Sequence, residues 1–204
     1  MKIAIIGVTG RAGSRIAEEA CRRGHSVTGI VRNPQEAPTP EGCVSLAKGD
    51  ATQPEQLAPL LKGHDVVISA AHFRTLKAAP LLQAVKDAGV PRLIVVGGAA
   101  SLEVAPGKIV LDDPNFPEAY KVEAVPGKQF LDDLREEKGV LWTFMSPPAE
   151  FAPGQRTGKF RVGKDQLMVD ANGRSHISME DYAIALVDEL ENPQHTQTRF
   201  TVGY

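Results

Sequence analysis

The sequence predicts an α/β fold in which helices cover both faces of a doubly wound, mostly parallel sheet. Short apolar segments alternate with amphipathic helical segments through the first half of the chain. The apolar segments carry few polar residues, which is typical of parallel strands buried on both faces. With 204 residues, 42% of them hydrophobic, the chain is expected to form one domain over residues 1–204.

The predicted elements of the first half follow one another as strand and helix. A glycine turn at residues 7–13 separates the first strand from the first helix, which ends at Gly24. Right-handed crossovers give the spatial strand order third, second, first, fourth, fifth. Residues 33–42, with three prolines, are predicted to be a loop. The predicted strands are 2–6, 26–31, 44–47, 65–69 and 92–96, and the predicted helices are 14–23, 54–61 and 76–88.

The second half of the chain is less regular. Pro126 and Gly127 should break or kink its predicted long helix. Ser178 to Asp181 match a capping box, which predicts a helix to residue 190. Residues 146–204 are expected to form a small C-terminal region that supplies loops on the substrate side. The other predicted elements are a loop at 102–116, the long helix at 117–138, a strand at 140–145, a loop at 146–164, and short strands at 167–169 and 199–202.

Composition and charge exclude several classes of function. A net charge of −2 provides no strong field for nucleic acid or an anionic membrane surface. No apolar run approaches the roughly 18 residues of a membrane span, and the chain enters its first strand without a signal-peptide pattern. We therefore expect a cytoplasmic protein with a small-molecule substrate. Cys21 and Cys43 are expected to be buried free thiols, and the histidines lack metal-binding spacing.

The glycine turn is the most specific motif in the chain. Its spacing, G-x-x-G-x-x-G, follows a predicted strand and opens a predicted helix. Glycines permit the tight turn and a close backbone approach to a diphosphate, while the helix amino terminus offers free N–H groups. This motif predicts a Rossmann-type dinucleotide site, although a glycine turn without a ligand is the alternative. The predicted cofactor contacts here are Gly7, Thr9, Gly10, Arg11, Ala12 and Gly13.

Arg32, at the end of the second predicted strand, indicates which dinucleotide binds. Proteins that prefer NAD usually carry an acidic residue near this position for the ribose 2′-hydroxyl, whereas arginine favours the 2′-phosphate of NADP. The segment Gly29-Ile-Val-Arg-Asn33 holds no acid. We therefore expect NADP(H), with NAD as the other option and Arg11 as a second guanidinium on the phosphate. Either arginine could instead be a solvated surface residue.

Further motifs resemble the atypical short-chain dehydrogenase/reductase families, including NmrA-like proteins and biliverdin-IXβ (flavin) reductase. Lys48-Gly-Asp50-Ala51 is similar to the family segment whose aspartate contacts adenine. Residues 65–71 resemble the strand that lines the cofactor, and residues 95–101 resemble the strand end that carries a serine near the nicotinamide. Ser146-Pro-Pro148 resembles a turn beside that ring. The resemblance implies cofactor contacts from Asp50, Ala51, Ser69, Ala70, Ala71, Gly97, Pro147 and Pro148.

The catalytic pair of the wider superfamily, Tyr-x-x-x-Lys, is absent. Tyr120 lies in the corresponding region, but Ala124 stands where the lysine should be, and Lys128 lies beyond Pro126. Without a nearby lysine a tyrosine keeps a pKa near 10, which disfavours alcohol dehydrogenation. The catalytic candidates are Tyr120 and Ser101, either of which could have only a structural role.

Three functions remain open at this point. The first is an NADP(H)-dependent oxidoreductase that transfers hydride to a small conjugated acceptor such as a flavin or quinone, where positioning provides the rate. The second is a non-catalytic NADP(H)-sensing regulatory protein, and the third a sugar-nucleotide epimerase. Candidate aromatic walls for an acceptor pocket are Phe73, Phe116 and Phe151. A homodimer is also expected.

Overall fold

The computed structural model describes residues 1–37 and 42–204. Pro38 and Pro40 of the predicted 33–42 loop therefore lie outside the described residues. The helices are α1 (Arg11–Arg22), α2 (Pro54–Leu61), α3 (Ala78–Asp87), α4 (Glu118–Glu136) and α5 (Met179–Glu191), with a 3₁₀ turn at Val110–Asp112. The strands are β1 (Lys2–Ile6), β2 (Ser26–Val31), β3 (Val44–Lys48), β4 (Val66–Ser69), β5 (Arg92–Val96), β6 (Glu103–Ala105), β7 (Lys108–Ile109), β8 (Leu141–Ser146), β9 (Glu150–Ala152), β10 (Arg161–Gly163), β11 (His176–Ser178) and β12 (Thr198–Gly203).

Eight strands form one sheet in the order β10-β12-β8-β5-β4-β1-β2-β3. The strands pair in parallel except at β10, which runs antiparallel to β12. The predicted fold class and the predicted order of the first five strands are confirmed. The order reverses beside β1, which has β2 on one side and β4 on the other, so the carboxyl ends of these strands border a crevice.

Two apolar cores lie on opposite faces of this sheet. Strand side chains alternate between them: Ala4 and Ile6 enter one core, and Ile3 and Ile5 enter the other. The first core is covered by α2, α3 and α4, and the second by α1 and α5. Among the described residues no helix is both long and apolar enough to span a membrane.

Helix α4 passes through Pro126 without the predicted break. The residues that follow the proline bury Phe130, Leu131 and Leu134 against the sheet. Burying each such side chain contributes roughly 1.5–3 kcal/mol, while a proline inside a helix costs about 3 kcal/mol. The packing of three apolar side chains thus outweighs the cost of one missing hydrogen bond. Gly127 also allows close contact, because a Cβ there would lie 2.9 Å from the Phe73 ring.

Several other predictions in the second half are corrected. The predicted 102–116 loop contains the β6–β7 hairpin, and the predicted 146–164 loop contains β9 and β10. Residues 167–169 do not form a strand; the Leu167 N–H instead bonds to the Glu103 carbonyl at 2.8 Å. The strand β11, which sequence patterning missed, pairs with β9. Such two- and three-residue strands are too short for a period-2 pattern to reveal.

Cys21 and Cys43 form a disulfide, so the prediction of two free thiols is wrong. Cys21 lies in the last turn of α1, and Cys43 directly precedes β3. Helix packing on the sheet brings their Cα atoms to 5.6 Å, within the range that a disulfide can bridge. The bond anchors the start of β3 to α1.

Reduction of this disulfide should lower the stability of the fold. The bond links residues 22 apart, for which the loss of unfolded-chain entropy is worth about 3 kcal/mol. We expect the Tm of the oxidised protein to fall when a thiol reductant is added, measured by circular dichroism. A Cys21→Ala/Cys43→Ala variant is the control and should show no response to reductant. An unchanged Tm for the oxidised wild type would contradict the prediction.

Candidate functional site

The turn between β1 and α1 has almost no free space on its inner side. A Cβ at position 13 would lie 2.1 Å from the Gly7 carbonyl oxygen, and one at position 7 would lie 2.7 Å from the Ala70 oxygen. Gly7 also adopts a φ of +82°, in the left-handed region that favours glycine. Gly13 therefore has a packing role, and the glycines let the backbone of the turn come close to the crevice beside β1.

The amino terminus of α1 is open. Gly10 is its N-cap, so no side chain caps the helix from that position, and the first turn contains no acidic residue. The matching position of α5 is filled, because the Ser178 hydroxyl accepts a hydrogen bond from the Asp181 N–H at 3.0 Å. The first N–H groups of a helix need partners, and together with the helix dipole they favour an anion. This terminus fits a diphosphate.

A first cavity of about 890 Å³ lies beyond the carboxyl ends of β1, β2 and β3. Residues from the glycine turn, the end of β2 and the β4–α3 loop form its walls. Among the predicted cofactor contacts, those in this wall are Gly7, Thr9, Gly10, Arg32, Asp50, Ala51, Ala70 and Ala71.

Two exposed guanidinium groups, Arg32 and Arg74, line this first cavity. Neither forms an ion pair with a residue in the described ranges. Arg74 was missed by sequence reasoning, since it follows β4 and only the fold carries it to the end of β2. Asp50 accepts hydrogen bonds from the Thr52 N–H and hydroxyl, and these bonds, with the nearby charge of Arg32, lower its pKa.

A second cavity of about 790 Å³ lies beyond β5 and against α4. It meets the first cavity at Gly10 and at Ala70 to His72, which line both. Together the cavities form one groove across the glycine turn. Arg11, Ala12, Gly97 and Ser101 lie in the second wall, so Arg11 does not lie beside Arg32 as the sequence analysis expected.

All three candidate aromatic residues reach the second cavity. Phe116 and Phe151 are half-buried there. Phe73 is mainly a core residue, with its ring centroid 5.2 Å from that of Phe130 and 6.0 Å from that of Phe144. Residues 96–100, which are small apart from Val96, also line this cavity.

Tyr120, Lys128 and Ser101 also line the second cavity. Tyr120 is 66% exposed. Because α4 is continuous, Lys128 lies on the same helix as Tyr120, about 12 Å further along at 1.5 Å per residue. Its Nζ bonds to Asp132 at 2.6 Å, which leaves Tyr120 without the adjacent lysine of the superfamily pair. Ser101, in contrast, is 9% exposed and lies in the loop that follows β5.

Four predicted cofactor contacts lie outside both cavity walls: Gly13, Ser69, Pro147 and Pro148. Ser69 is buried in β4, and the two prolines are buried after β8. Ala149, the residue after the prolines, is the one that reaches the second cavity.

The loop after β9 is held by charged residues, of which the sequence analysis named only Asp181, as part of a capping box. Asp181, fully buried, accepts hydrogen bonds from Thr157, Gly158 and the Tyr204 hydroxyl. Burial alone would raise the pKa of Asp181, but these hydrogen bonds leave it lowered. Arg156 forms two bonds at 2.9 Å to the buried Glu19 of α1. These contacts fix the loop that follows Phe151.

A glycine turn of this geometry at the switch point of a parallel sheet defines a nucleotide-binding, Rossmann-type protein. Comparison with known families agrees. The chain belongs to the NAD(P)H-binding family, which matches residues 7–193. The expected resemblance to atypical short-chain dehydrogenase/reductases is confirmed, and the fold is oxidoreductase-like.

Three solved structures are similar over the whole chain. A protein of Burkholderia pseudomallei described as a candidate exported protein is 44% identical, with full coverage of both chains and a TM-score of 0.90. A Bacteroides thetaiotaomicron protein described as a candidate epimerase is 41% identical, covering 100% of this chain and 96% of that one, with a TM-score of 0.93. A Streptococcus pneumoniae protein described as a candidate NADH-flavin reductase is 36% identical, covering 100% and 99%, with a TM-score of 0.87.

Replacing Gly13 with alanine should abolish binding of the dinucleotide. The new Cβ would displace the Gly7 carbonyl and so open the turn against which the diphosphate lies. Titration of NADPH by calorimetry measures the loss. Gly24→Ala is the matched control at the other end of α1: its φ of +81° makes the substitution strained, but its Cβ meets no atom within 4 Å. If both variants bound NADPH like the wild type, the turn would not be the binding site.

Proposed function

We propose that this protein is an NADPH-dependent reductase that transfers hydride to a small conjugated acceptor such as a flavin or quinone. The observation that carries the proposal is the continuous groove: a cradle for an anion at Gly10, a cationic cavity on one side and an aromatic-walled cavity on the other. The description of the Streptococcus pneumoniae relative as a candidate NADH-flavin reductase supports the same class of acceptor, though it names NADH as the cofactor.

The first cavity would hold the adenosine half of the cofactor. Arg32 and Arg74 supply two guanidinium groups for a ribose 2′-phosphate, and guanidinium groups match phosphate geometry well. The open terminus of α1 would hold the diphosphate. These features support a preference for NADP(H) over NAD(H).

The second cavity would place the acceptor against the nicotinamide end of the cofactor. When bound, the reduced cofactor supplies the hydride. Phe116 and Phe151, which are half-buried in its wall, would pack against a planar ring. An acceptor of this kind is already electrophilic, so catalysis rests on holding it at reacting distance, and the missing Tyr-x-x-x-Lys pair is no obstacle.

A non-catalytic NADP(H)-sensing regulatory protein is the second candidate function. The exposure of Tyr120 and the alanine at position 124 favour it, because they leave no base of the usual kind. The Bacteroides relative is described as a candidate epimerase. The sugar-nucleotide epimerase considered in the sequence analysis depends on the tyrosine–lysine pair, which this chain lacks.

We also propose that the protein acts in the cytoplasm, since such a reductase depends on a supply of reduced cofactor. Thiols are kept mostly reduced there. The Cys21–Cys43 disulfide of the structure would there be open to reduction, whereas in an oxidising compartment it would persist.

Turnover distinguishes the two main candidates. A reductase should oxidise NADPH in the presence of free flavins or simple quinones, at a rate that saturates with acceptor concentration. The rate is measured as the loss of absorbance of the reduced nicotinamide. The Gly13→Ala variant is the control and should show no turnover. Tight binding of NADPH without turnover across flavins, quinones and bilins would refute the reductase and favour the sensor.

Replacing Arg32 with glutamate should weaken the binding of NADPH much more than the binding of NADH. A hydrogen bond to a charged group is worth roughly 1.5–3 kcal/mol, so we expect NADPH affinity to fall about ten- to a hundredfold. NADH lacks the 2′-phosphate and should bind almost as before. Lys62→Glu makes the same charge change outside both cavities and serves as the control. The dissociation constants of both cofactors are measured by fluorescence titration. If Arg32→Glu weakened the binding of NADPH and NADH equally, the assignment of Arg32 to the 2′-phosphate would be contradicted.

A further inference from the structure

Arg199 on β12 is a buried charged residue that has no role in the reaction proposed above. Its side chain is 3% exposed, although an unpaired guanidinium is costly to bury. It contacts Ser101 twice: one N–H bonds to the Ser101 Oγ and another to the Ser101 carbonyl oxygen, both at 3.3 Å. A third contact, at 3.4 Å, reaches the Ser146 hydroxyl.

The direction of the Ser101 contact is set by chemistry. A guanidinium can only donate hydrogen bonds, so the Ser101 oxygen must accept this one. The serine keeps its own hydroxyl proton for another partner. Among the described residues the hydrogen bonds of the structure include no acceptor for that proton. Ser101 lines the second cavity and also a smaller cavity of about 260 Å³, which Arg199 and Asp165 line as well. Arg199 approaches the Ser101 Oγ as a donor, so we assign the hydroxyl proton to a ligand in the second cavity.

The ion pair of Arg199 is asymmetric. Its carboxylate partner, Asp165, lies 2.8 Å away but is 48% exposed. Water screens the exposed carboxylate more than the buried guanidinium. The positive charge of Arg199 therefore acts on Ser101, which lines the second cavity whereas Arg199 does not. A cationic donor also makes the serine hydroxyl a better donor in turn.

We propose that Arg199 is a positioning residue, which fixes and polarises the Ser101 hydroxyl so that it donates a hydrogen bond to an oxygen or nitrogen of the acceptor. This inference rests on the proposed reductase function and narrows its substrate. The acceptor must be a conjugated carbonyl or imine, whose heteroatom gains negative charge as hydride arrives.

The reaction balances with these groups. The acceptor gains hydride at the electrophilic end of its conjugated system, and an electron pair moves onto its heteroatom. The hydrogen bond from Ser101 stabilises that charge, and a solvent proton neutralises it. The oxidised dinucleotide and the dihydro acceptor then leave. Ser101 is the catalytic residue in this scheme, since it touches the acceptor, and Arg199 acts through it.

The test compares Arg199→Met, Ser101→Ala and the double variant with menadione and with free flavin as acceptors. Loss of one preorganised donor costs about 100-fold or more in kcat, which is expected for Ser101→Ala. Loss of the orientation of the Ser101 hydroxyl can lower kcat by up to about 100-fold, which is the upper limit expected for Arg199→Met. The double variant should be no slower than Ser101→Ala, because Arg199 works only through that hydroxyl. Arg199→Lys should restore part of kcat.

Arg92→Met is the matched control for a buried guanidinium. Arg92 is 8% exposed at the start of β5 and bonds to Glu189 and to the Leu190 carbonyl, away from both cavities. The Arg92→Met substitution should lower Tm but leave kcat unchanged. NADPH affinity, measured by fluorescence, should be unchanged in every variant.

The outcomes separate this inference from the proposed function. Two results with an active wild type would overturn the role of Arg199 and leave the reductase standing. In the first, the effects of Arg199→Met and Ser101→Ala on kcat multiply in the double variant. In the second, Arg199→Met lowers Tm and leaves kcat unchanged, as Arg92→Met does. If the wild type binds NADPH but neither reduces nor binds menadione or flavin, as judged by calorimetry, the reductase proposal and this inference fall together.

Discussion

The close approach of the Gly13 backbone to the Gly7 carbonyl is the contact on which the site depends. A methyl group at position 13 would lie 2.1 Å from that oxygen, so the turn can close only with glycine there. Closure directs the uncapped end of α1 into the crevice beside β1, where the strand order reverses. Both cavities border this turn. The anion cradle and the groove thus follow from one steric requirement in a seven-residue segment.

The two halves of the groove differ in the chemistry they present. The first half carries two exposed guanidinium groups, suited to a phosphate that arrives from water. The second half is built from aromatic faces, small residues and one buried cation behind Ser101. Phe151 is placed by the pairing of β9 with β11, and charged contacts from Asp181 and Glu19 hold the loop that follows it. Rigid support of this kind matters most for a reaction that depends on positioning.

Local patterns predicted the first half of the fold well, because continuous apolar strands and helices bounded by glycine or proline carry their signal within a short window. The second half was harder. Pro126 indicated a break that the burial of Phe130 and its neighbours overrides, and the β6–β7 hairpin is too short to show a period. The cysteine pair had no local signal, since its distance depends on how α1 packs beside β3.

By itself the sequence determined the parallel sheet, the glycine turn and the class of ligand, because backbone sterics and strand burial are encoded by neighbouring residues. Only the tertiary structure decided which side chains meet at the groove. Arg74 joins Arg32 through the alignment of β4 with β1 and β2, and Arg199 reaches Ser101 across a separation of 98 residues because β12 lies beside β8. Such contacts depend on strand order and register, which no local pattern specifies for distant segments.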